Sequence, residues 1–351
     1  MQLAGELNMK RKKQSRVTLQ QVAEHAGVSR ATASLIVRNS PHISEATRKK
    51  VLESMRELGY VYDRVAANLR SQRSSTIGLI ITDIANTFFS ELLIGVHQTL
   101  EEEGYTVLLG TTFDSDTKQN HLLSTMLEHR VGGVILCPVS ETSKETIDRI
   151  NQLDIPIVLA VRELPGANCD YVSVDYKVGA EMAVSHLIQK GHRRIAFLGG
   201  RSESSTWKER AQGYYDALHQ AGLEVDSSLV VDGPPTREGG VAAVQQVLNH
   251  PDPPTAIFCF SDLVAFGVMQ ELRNAGLIPG QDMAIVGFDN VPEAETVTPS
   301  LTTVSSFPRL IGKHAAGLLH ERIANFDHEQ QRVILQPELA VRNSSQQVVG
   351  K

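Results

Sequence analysis

Apolar residues near the start of the chain recur three and four positions apart, which is the spacing of one face of an α-helix. Leu19 and Val22 lie on such a face in a first short helix, which the Thr18 hydroxyl can cap. Ala33 lies on the buried face of a second short helix, which Ser29 can cap. The pattern therefore predicts two short helices in immediate succession.

The turn between these two helices contains Gly27, within the tripeptide AGV. A left-handed backbone is needed at this position, and glycine adopts it without steric cost. A third helix is predicted to begin after Ser44 and to bury Val51 and Leu58. A glycine turn between helices with small and apolar inward residues is typical of a helix-turn-helix, although an ordinary pair of antiparallel helices shares part of the pattern.

From Thr76 onwards, short and almost continuous apolar runs alternate with amphipathic stretches. TIGLIIT (76–82), IPIVLAV (155–161) and MAIVGFD (283–289) represent seven candidate strands. Strands of this kind are buried on both faces, as in parallel sheets covered by helices. The predicted fold class is therefore α/β: a three-helix helix-turn-helix headpiece followed by a core of parallel sheets with helices on both faces.

The alternation of strands and helices starts again at RRIAFLGG (193–200), which predicts two similar lobes in the core. The run that begins at Ser300 predicts a return to the first lobe, and ILQPELAVRNSS (334–345) predicts an end in the second. The predicted segments are a flexible basic extension (1–16), the headpiece (17–62), a hinge and linker (63–74) and the core (75–344), with a first lobe of about 75–173 and 304–330 and a second lobe of about 174–303 and 331–344.

Charge is divided unevenly along the chain. Residues 1–73 hold 14 Lys and Arg against 6 Asp and Glu, whereas the remaining residues hold 20 against 34. A basic head on an acidic body indicates a polyanionic partner for the head alone. A merely solvated basic terminus would show the same imbalance, so charge does not decide between the two.

The sequence has no run of 18 apolar residues, and its first 16 residues lack the apolar segment of a signal peptide. Cys137, Cys169 and Cys259 are odd in number and contain no CxxC pair, which is typical of buried thiols in a reducing compartment. We therefore expect a cytoplasmic protein that does not contact the membrane.

Motifs of catalysis are absent from the core. The sequence contains no GxxxxGK phosphate loop, no GxGxxG after a strand, no GxSxG elbow and no HExxH. Its 12 histidines are scattered, and none stands at metal-ligand spacing from another. We expect a protein that binds rather than catalyses, with neither a cofactor nor a metal.

The outward face of the second predicted helix presents groups suited to nucleic acid. Helices of this type enter the major groove by their N-terminal end, where such groups reach phosphates and base edges. The candidate DNA contacts lie at the start of the first helix, along the second helix and just after it: Thr18, Leu19, Ser29, Arg30, Ala31, Ser34, Leu35, Arg38 and His42.

The segment 17–73, from VTLQQVAEHAGVSRATASLIVRN to DRVAANLRS and beyond, resembles the headpiece of the LacI/GalR family of bacterial repressors, without a gap. The resemblance implies a hinge helix that forms only on operator DNA. In that helix Ala66 approaches the minor groove and Leu69 is a wedge that opens a central base step. A linker leucine that packs against the core is the alternative.

Residues 75–344 resemble the periplasmic-binding-protein-like core of the same family, and DIANTFFSEL and ERAQGYYDAL are similar to its MalI-like branch. Loops after parallel strands are where such cores bind ligands. Asp289 ends a strand and can accept hydroxyl hydrogens, and the resemblance implies that Arg210 is a forked donor to the ligand. The candidate effector-binding residues are Asp83, Asn86, Phe88, Phe89, Trp207, Arg210, Ser261, Asp262 and Asp289.

Taken together, these patterns predict a sequence-specific transcriptional regulator that represses its target. It is expected to bind a roughly palindromic, double-stranded operator as a homodimer, because one headpiece makes too few contacts for specificity. A small metabolite between the lobes, a sugar or a sugar derivative, is expected to control operator affinity. The alternative is a regulator without a ligand or with a corepressor such as a purine.

Overall fold

The computed structural model describes residues 17–37, 40–61 and 74–345. The chain divides at residue 73 into two compact units. The first holds the three helices α1 (Leu19–Ala26), α2 (Arg30–Val37) and α3 (Glu45–Leu58).

A capping box starts α1. The Thr18 side chain accepts a hydrogen bond from the Gln21 backbone, and the Gln21 side chain accepts one from the Thr18 backbone. Gly27 ends α1 with a φ of 64°, in the left-handed region that the turn to α2 requires. The helices enclose a small apolar core of Val22, Ala23, Ala26, Ala33, Ile36 and Val51.

The second unit contains two sheets of six strands each. The first sheet has the order β11-β5-β4-β3-β1-β2, and all of its strand pairs are parallel. The elements of the first lobe in chain order are β1 (Thr76–Ile81), α4 (Thr87–Glu102), β2 (Thr106–Thr111), α5 (Asp116–Glu128), β3 (Val134–Leu136), α6 (Lys144–Asn151), β4 (Ile157–Ala160) and β5 (Asp170–Val174), with α12 (Pro308–Ala324) and β11 (Arg332–Leu335) added later.

The second sheet has the order β12-β10-β9-β8-β6-β7 and is parallel except for its β12 edge. The elements of the second lobe are α7 (Tyr176–Gln189), β6 (Ile195–Leu198), α8 (Ser205–Gln220), a 3-10 turn (Ser227–Leu229), β7 (Val230–Val231), α9 (Arg237–Leu248), β8 (Ala256–Cys259), α10 (Asp262–Asn274), β9 (Ala284–Asp289), α11 (Glu293–Thr296), β10 (Thr302–Ser305) and β12 (Glu338–Ala340).

The chain crosses between the lobes after β5, after β10 and between β11 and β12. Two of the expected lobe boundaries are therefore wrong. Residues 331–344 do not all lie in the second lobe, because β11 pairs with β5 in the first sheet. The second lobe also extends past residue 303, since β10 continues to Ser305 beside β9. Both errors concern short strands, and backbone pairing with distant strands decides their sheet.

The return helix α12 packs along α4 at very close range. A Cβ atom at Gly95 of α4 would lie 2.1 Å from the Arg309 carbonyl oxygen, and one at Gly312 of α12 would lie 2.2 Å from the Leu92 carbonyl oxygen. Only glycine allows the two backbones to approach in this way. The contact fixes the returning chain to the first lobe.

None of the helices among the described residues is long and apolar enough to cross a membrane.

Candidate functional site

Helix α2 separates its residues into an inward and an outward face. Ala33 and Ile36 are buried in the headpiece core, whereas Arg30, Ala31 and Leu35 are exposed. This outward face holds the candidate contacts to base edges, and partly buried Ser34 lies on the same side.

Three other candidates hold the headpiece together. The Ser29 oxygen accepts a hydrogen bond of 3.1 Å from the Thr32 backbone and so caps α2. Thr18 caps α1, and Leu19 packs partly buried against the headpiece core. Contacts of these three residues with DNA stay a prediction.

His42 is exposed in the turn before α3. Arg38, Ala66 and Leu69 lie outside the described residues, so the expected minor-groove wedge also stays a prediction.

Arg210 and Asp289 come together at strand and helix ends of the second lobe. Arg210 on α8 is only 3% exposed, and Asp289 at the end of β9 is 6% exposed. Arg210 Nη2 lies 3.7 Å from Asp289 Oδ1, which is too long for a hydrogen bond. Arg210 Nη1 donates to the Thr206 carbonyl at 3.2 Å, and Nε has no hydrogen-bond partner within the described residues. A buried guanidinium with five donors is thus left mostly unpaired.

Aromatic rings surround this guanidinium. Arg210 Cζ lies 4.0 Å from the Phe288 ring centroid, 4.2 Å from that of Tyr176 and 4.5 Å from that of Phe260. Cation–π attraction of this kind partly replaces the lost hydration of a buried cation. The rings hold the guanidinium in place while leaving its donors available.

Asp289 is an equally incomplete partner. The Ser306 hydroxyl donates to Oδ1 at 3.3 Å, and no hydrogen bond from the described part of the chain reaches Oδ2. Burial raises the pKa of this carboxyl to about 7, against the opposing effects of Arg210 and Ser306. A cavity of about 430 Å³ opens on one side of Asp289, with Asn290, Ser305 and Phe307 in its lining, but Arg210 does not line it. Its volume suits a small metabolite.

The geometry argues against a ligand role for Asp262. It is fully buried, Oδ2 accepts a hydrogen bond of 2.9 Å from the Val291 backbone, and Oδ1 accepts one from the Thr303 hydroxyl. Both oxygens are therefore used inside the second lobe, where they tie α10 to β10. Its neighbour Ser261 is also buried and caps α10 by accepting a hydrogen bond from the Val264 backbone.

The candidates after β1 are mostly engaged in local structure. Asp83 accepts a hydrogen bond of 2.9 Å from the Ala85 backbone, and Asn86 caps α4. Phe88 and Phe89 are 4% and 8% exposed and pack edge to face with centroids 5.0 Å apart. Both rings belong to the core of the first lobe.

Trp207 is half-buried, with its ring 5.6 Å from that of Phe197. Its indole Nε1 is buried and has no hydrogen-bond partner among the described residues. The ring therefore packs on the second lobe but retains a donor for a ligand.

Sequence reasoning missed a second arginine–aspartate pair, in the first lobe. Arg162 donates to Asp114 and also to the Pro138 carbonyl at 3.2 Å, so residues after β2, β3 and β4 are joined. Arg201 of the second lobe reaches the same carboxylate, with Nε 3.5 Å from Asp114 Oδ2. The rule that sites form after parallel strands would have indicated Asp114 and Arg162.

A second polar contact also joins the lobes. The Thr87 hydroxyl of the first lobe donates to Glu293 of the second at 2.7 Å. This contact and that of Arg201 with Asp114 both cross from one lobe to the other.

Comparisons with known proteins agree with this architecture. Residues 18–63 match the model of bacterial regulatory proteins of the lacI family, and residues 74–346 match that of periplasmic binding proteins and the sugar binding domain of the LacI family. The HTH-type transcriptional repressor PurR of Photobacterium profundum is 34% identical over 329 residues, which cover 93% of this chain and 98% of the relative.

Among solved structures, a CelR–cellobiose complex, a transcriptional regulator, has 34% identity and a TM-score of 0.71, covering 94% of this chain and 100% of that one. A lac repressor dimer bound to operator and an anti-inducer has 25% identity and a TM-score of 0.79, covering 94% of this chain and 99% of that one. These matches confirm the expected fold class and the expected class of function, a DNA-binding transcriptional regulator rather than an enzyme. The chain belongs to the LacI family of bacterial regulatory proteins.

Proposed function

We propose that this chain is a cytoplasmic repressor that binds double-stranded operator DNA as a homodimer, and that a small metabolite held at Arg210 and Asp289 controls its operator affinity. The observation that carries the ligand site is the incomplete pairing of these two buried groups. Leaving buried polar groups unpaired is costly, so such groups usually have a partner. A ligand that bridges them supplies it.

The ligand class that fits this pair best is a sugar or a sugar derivative. Adjacent hydroxyls can donate to Asp289 Oδ2 and accept from Arg210 Nε at the same time. Each of the three rings around Arg210 already has one face against the guanidinium. Phe88 and Phe89 are buried in the core. Flat bases need free aromatic faces for stacking, so the arrangement favours hydroxyl-rich ligands.

A purine is the second candidate, and the similarity to PurR favours it. A purine would need one of the rings near Arg210 to turn its face toward the ligand. The half-buried Trp207 is another candidate surface, and its indole Nε1 has no hydrogen-bond partner in the described part of the chain.

Control of operator affinity requires that the ligand favour one arrangement of the lobes over another. Arg201 with Asp114 and Thr87 with Glu293 are the polar contacts that such a rearrangement would make or break. Coupling between sites of this kind is typically worth ~1–3 kcal/mol.

The edge strand β2 supports the proposed homodimer. Leu108 and Leu109 are consecutive residues on this strand and are 39% and 37% exposed, so apolar side chains are accessible on both of its faces. An exposed apolar edge invites pairing with another strand, and a second copy of this chain offers the same edge.

The experiment that tests the ligand site is thermal denaturation of the full chain with cellobiose, ribose, hypoxanthine and guanine, each followed by operator binding. A stabilising compound that also changes operator affinity supports the proposal. Arg193→Ala, an exposed arginine on the same lobe, is the matched control for Arg210→Ala. A compound that stabilises Arg210→Ala as well as it stabilises the unmodified chain would place the ligand elsewhere.

A further inference from the structure

Leu35 occupies an unusual place for a large apolar side chain. It is 41% exposed on α2, where Ala33 and Ile36 already fill the inward face. At 3.6 residues per turn, Arg30, Ala31 and Leu35 lie within an arc of about 140° on the opposite side. The Leu35 carbonyl accepts a hydrogen bond of 3.0 Å from the Ser40 backbone, so its main chain is fixed.

An exposed leucine alone requires no explanation, because much of a protein surface is apolar. Leu52 of α3 shows this, since it is 45% exposed. Leu35 differs because it shares the outward face of α2 with Arg30 and stands one turn from Ala31. The apolar strip formed by Ala31 and Leu35 therefore faces the same surroundings as the arginine.

The chemistry of the strip limits what it can recognise. Leucine and alanine side chains neither donate nor accept hydrogen bonds. On the base edges of the major groove, the apolar group is the C5-methyl of thymine, whereas guanine presents acceptors that suit arginine. Arg30 and Leu35 are thus suited to different bases of one half-site.

We propose that Leu35 determines operator specificity by packing on the methyl group of one thymine in each half-site. The assignment rests on the proposed operator binding through α2. Five residues along a helix rise about 7.5 Å, so this thymine lies within about three base pairs of the base that Arg30 contacts.

The test begins with an operator selected from random double-stranded DNA by the full-length chain. Each thymine of the half-site is then replaced in turn by deoxyuridine, symmetrically in both half-sites, which removes only the methyl group. At one position we expect affinity to fall about fourfold per half-site, the effect of removing one buried methyl-sized group, and so about fifteenfold for the dimer.

Leu35→Ala tests whether that methyl group acts through this side chain. The variant should bind the thymine and deoxyuridine operators equally, with its affinity for random DNA unchanged. Leu52→Ala, which removes an equally exposed leucine from α3, should keep the full difference. Random-DNA binding also reports that both variants remain folded.

The assignment is overturned if no thymine is sensitive to the replacement, or if Leu35→Ala keeps the sensitivity. In the second case the methyl group acts through DNA shape or another residue. A chain that selects no sequence at all would overturn the proposed operator binding, and this assignment with it.

Discussion

Besides the buried pair of Arg322 and Asp170 in the first lobe, each lobe has a largely buried arginine–aspartate pair beside its strand ends, and these two pairs differ in how completely they are satisfied. In the first lobe, Arg162 contacts both oxygens of Asp114 and a backbone carbonyl. In the second, Arg210 and Asp289 stay 3.7 Å apart, and neither Arg210 Nε nor Asp289 Oδ2 has a hydrogen-bond partner among the described residues. The complete pair joins strand ends within the protein, whereas the incomplete pair leaves hydrogen-bonding atoms to which a ligand can bind.

Breaking the complete pair should have the largest effect on stability. Arg162→Ala leaves Asp114 largely buried without its main partner, and removal of one member of such a pair typically costs ~3–5 kcal/mol. We expect a loss of about 3 kcal/mol in the free energy of unfolding at neutral pH, measured by urea denaturation of the full chain. Arg210→Ala should lose much less, because Asp289 takes up a proton readily. Equal losses in the two variants would remove the distinction between the pairs.

Breaking the incomplete pair should have the larger effect on ligand binding. Arg210→Ala removes charge-assisted hydrogen bonds worth ~1.5–3 kcal/mol, which corresponds to a ligand affinity about 10- to 100-fold weaker. Affinity is measured by isothermal titration calorimetry with a compound found in the thermal screen. Operator affinity without ligand should stay unchanged. Arg193→Ala is the control, and an unaltered ligand affinity in Arg210→Ala would contradict the proposed site.

The pH dependence of ligand binding should distinguish the two pairs further. Burial raises the pKa of Asp289 to about 7, so its proton returns as the pH falls through 7. A ligand that donates hydroxyl hydrogens to the ionised carboxylate should bind more weakly below pH 7, by up to about tenfold per pH unit. The same raised pKa affects stability without ligand in the opposite direction. Between about pH 4 and 7 the folded state binds the proton more tightly than the unfolded chain, so the free energy of unfolding rises as the pH falls through this range.

Glu209 provides the control for this pH effect, since burial raises its pKa to about 7 as well. Glu209→Gln should keep the pH dependence of ligand affinity, whereas Asp289→Asn should lose it. The reverse pattern would assign the titration to Glu209.

The smallest expected effect concerns the contact between the lobes. Arg201 is half-exposed where it reaches Asp114, and exposed ion pairs contribute ~0.2–1 kcal/mol. Arg201→Ala should therefore leave the midpoint of urea unfolding almost unchanged. The ligand concentration at which half of the operator DNA is released should shift by about two- to fivefold, because the substitution removes a contact between the lobes. Identical ligand responses in Arg201→Ala and the unmodified chain would exclude this contact from the coupling.

Much of the fold could be predicted from the sequence because buried parallel strands such as β1, β4 and β9 are continuous apolar runs. The strands β10 and β11 were harder, since TTVS and RVIL contain polar residues and their sheets are set by distant partners. Local pattern indicates that a strand forms but not which lobe it joins.

The candidate site, like the fold, could be predicted only in part from the sequence. Asp289 is a candidate because it stands where the chain leaves a buried strand, and Arg210 is one because the family resemblance implies a forked donor there; the ligand role of both stays a prediction. Asp262 stands at an equivalent position, yet it turns inward to Val291 and Thr303, and only the folded neighbours show this. Asp114 and Arg162 are 48 residues apart in sequence, and the order of the strands brings them together.

The three crossings of the chain have a consequence for its synthesis. Neither lobe is a continuous piece: the first lacks α12 and β11 until residue 335 has been made, and the second lacks β12 until residue 340. Ser344 also closes the second sheet late, with a hydrogen bond to the Ile285 carbonyl at 2.7 Å. Domains generally fold as they leave the ribosome, N-terminal first. The headpiece is therefore finished before either lobe, whereas the two lobes are completed almost together, once β11 and β12 have both been made.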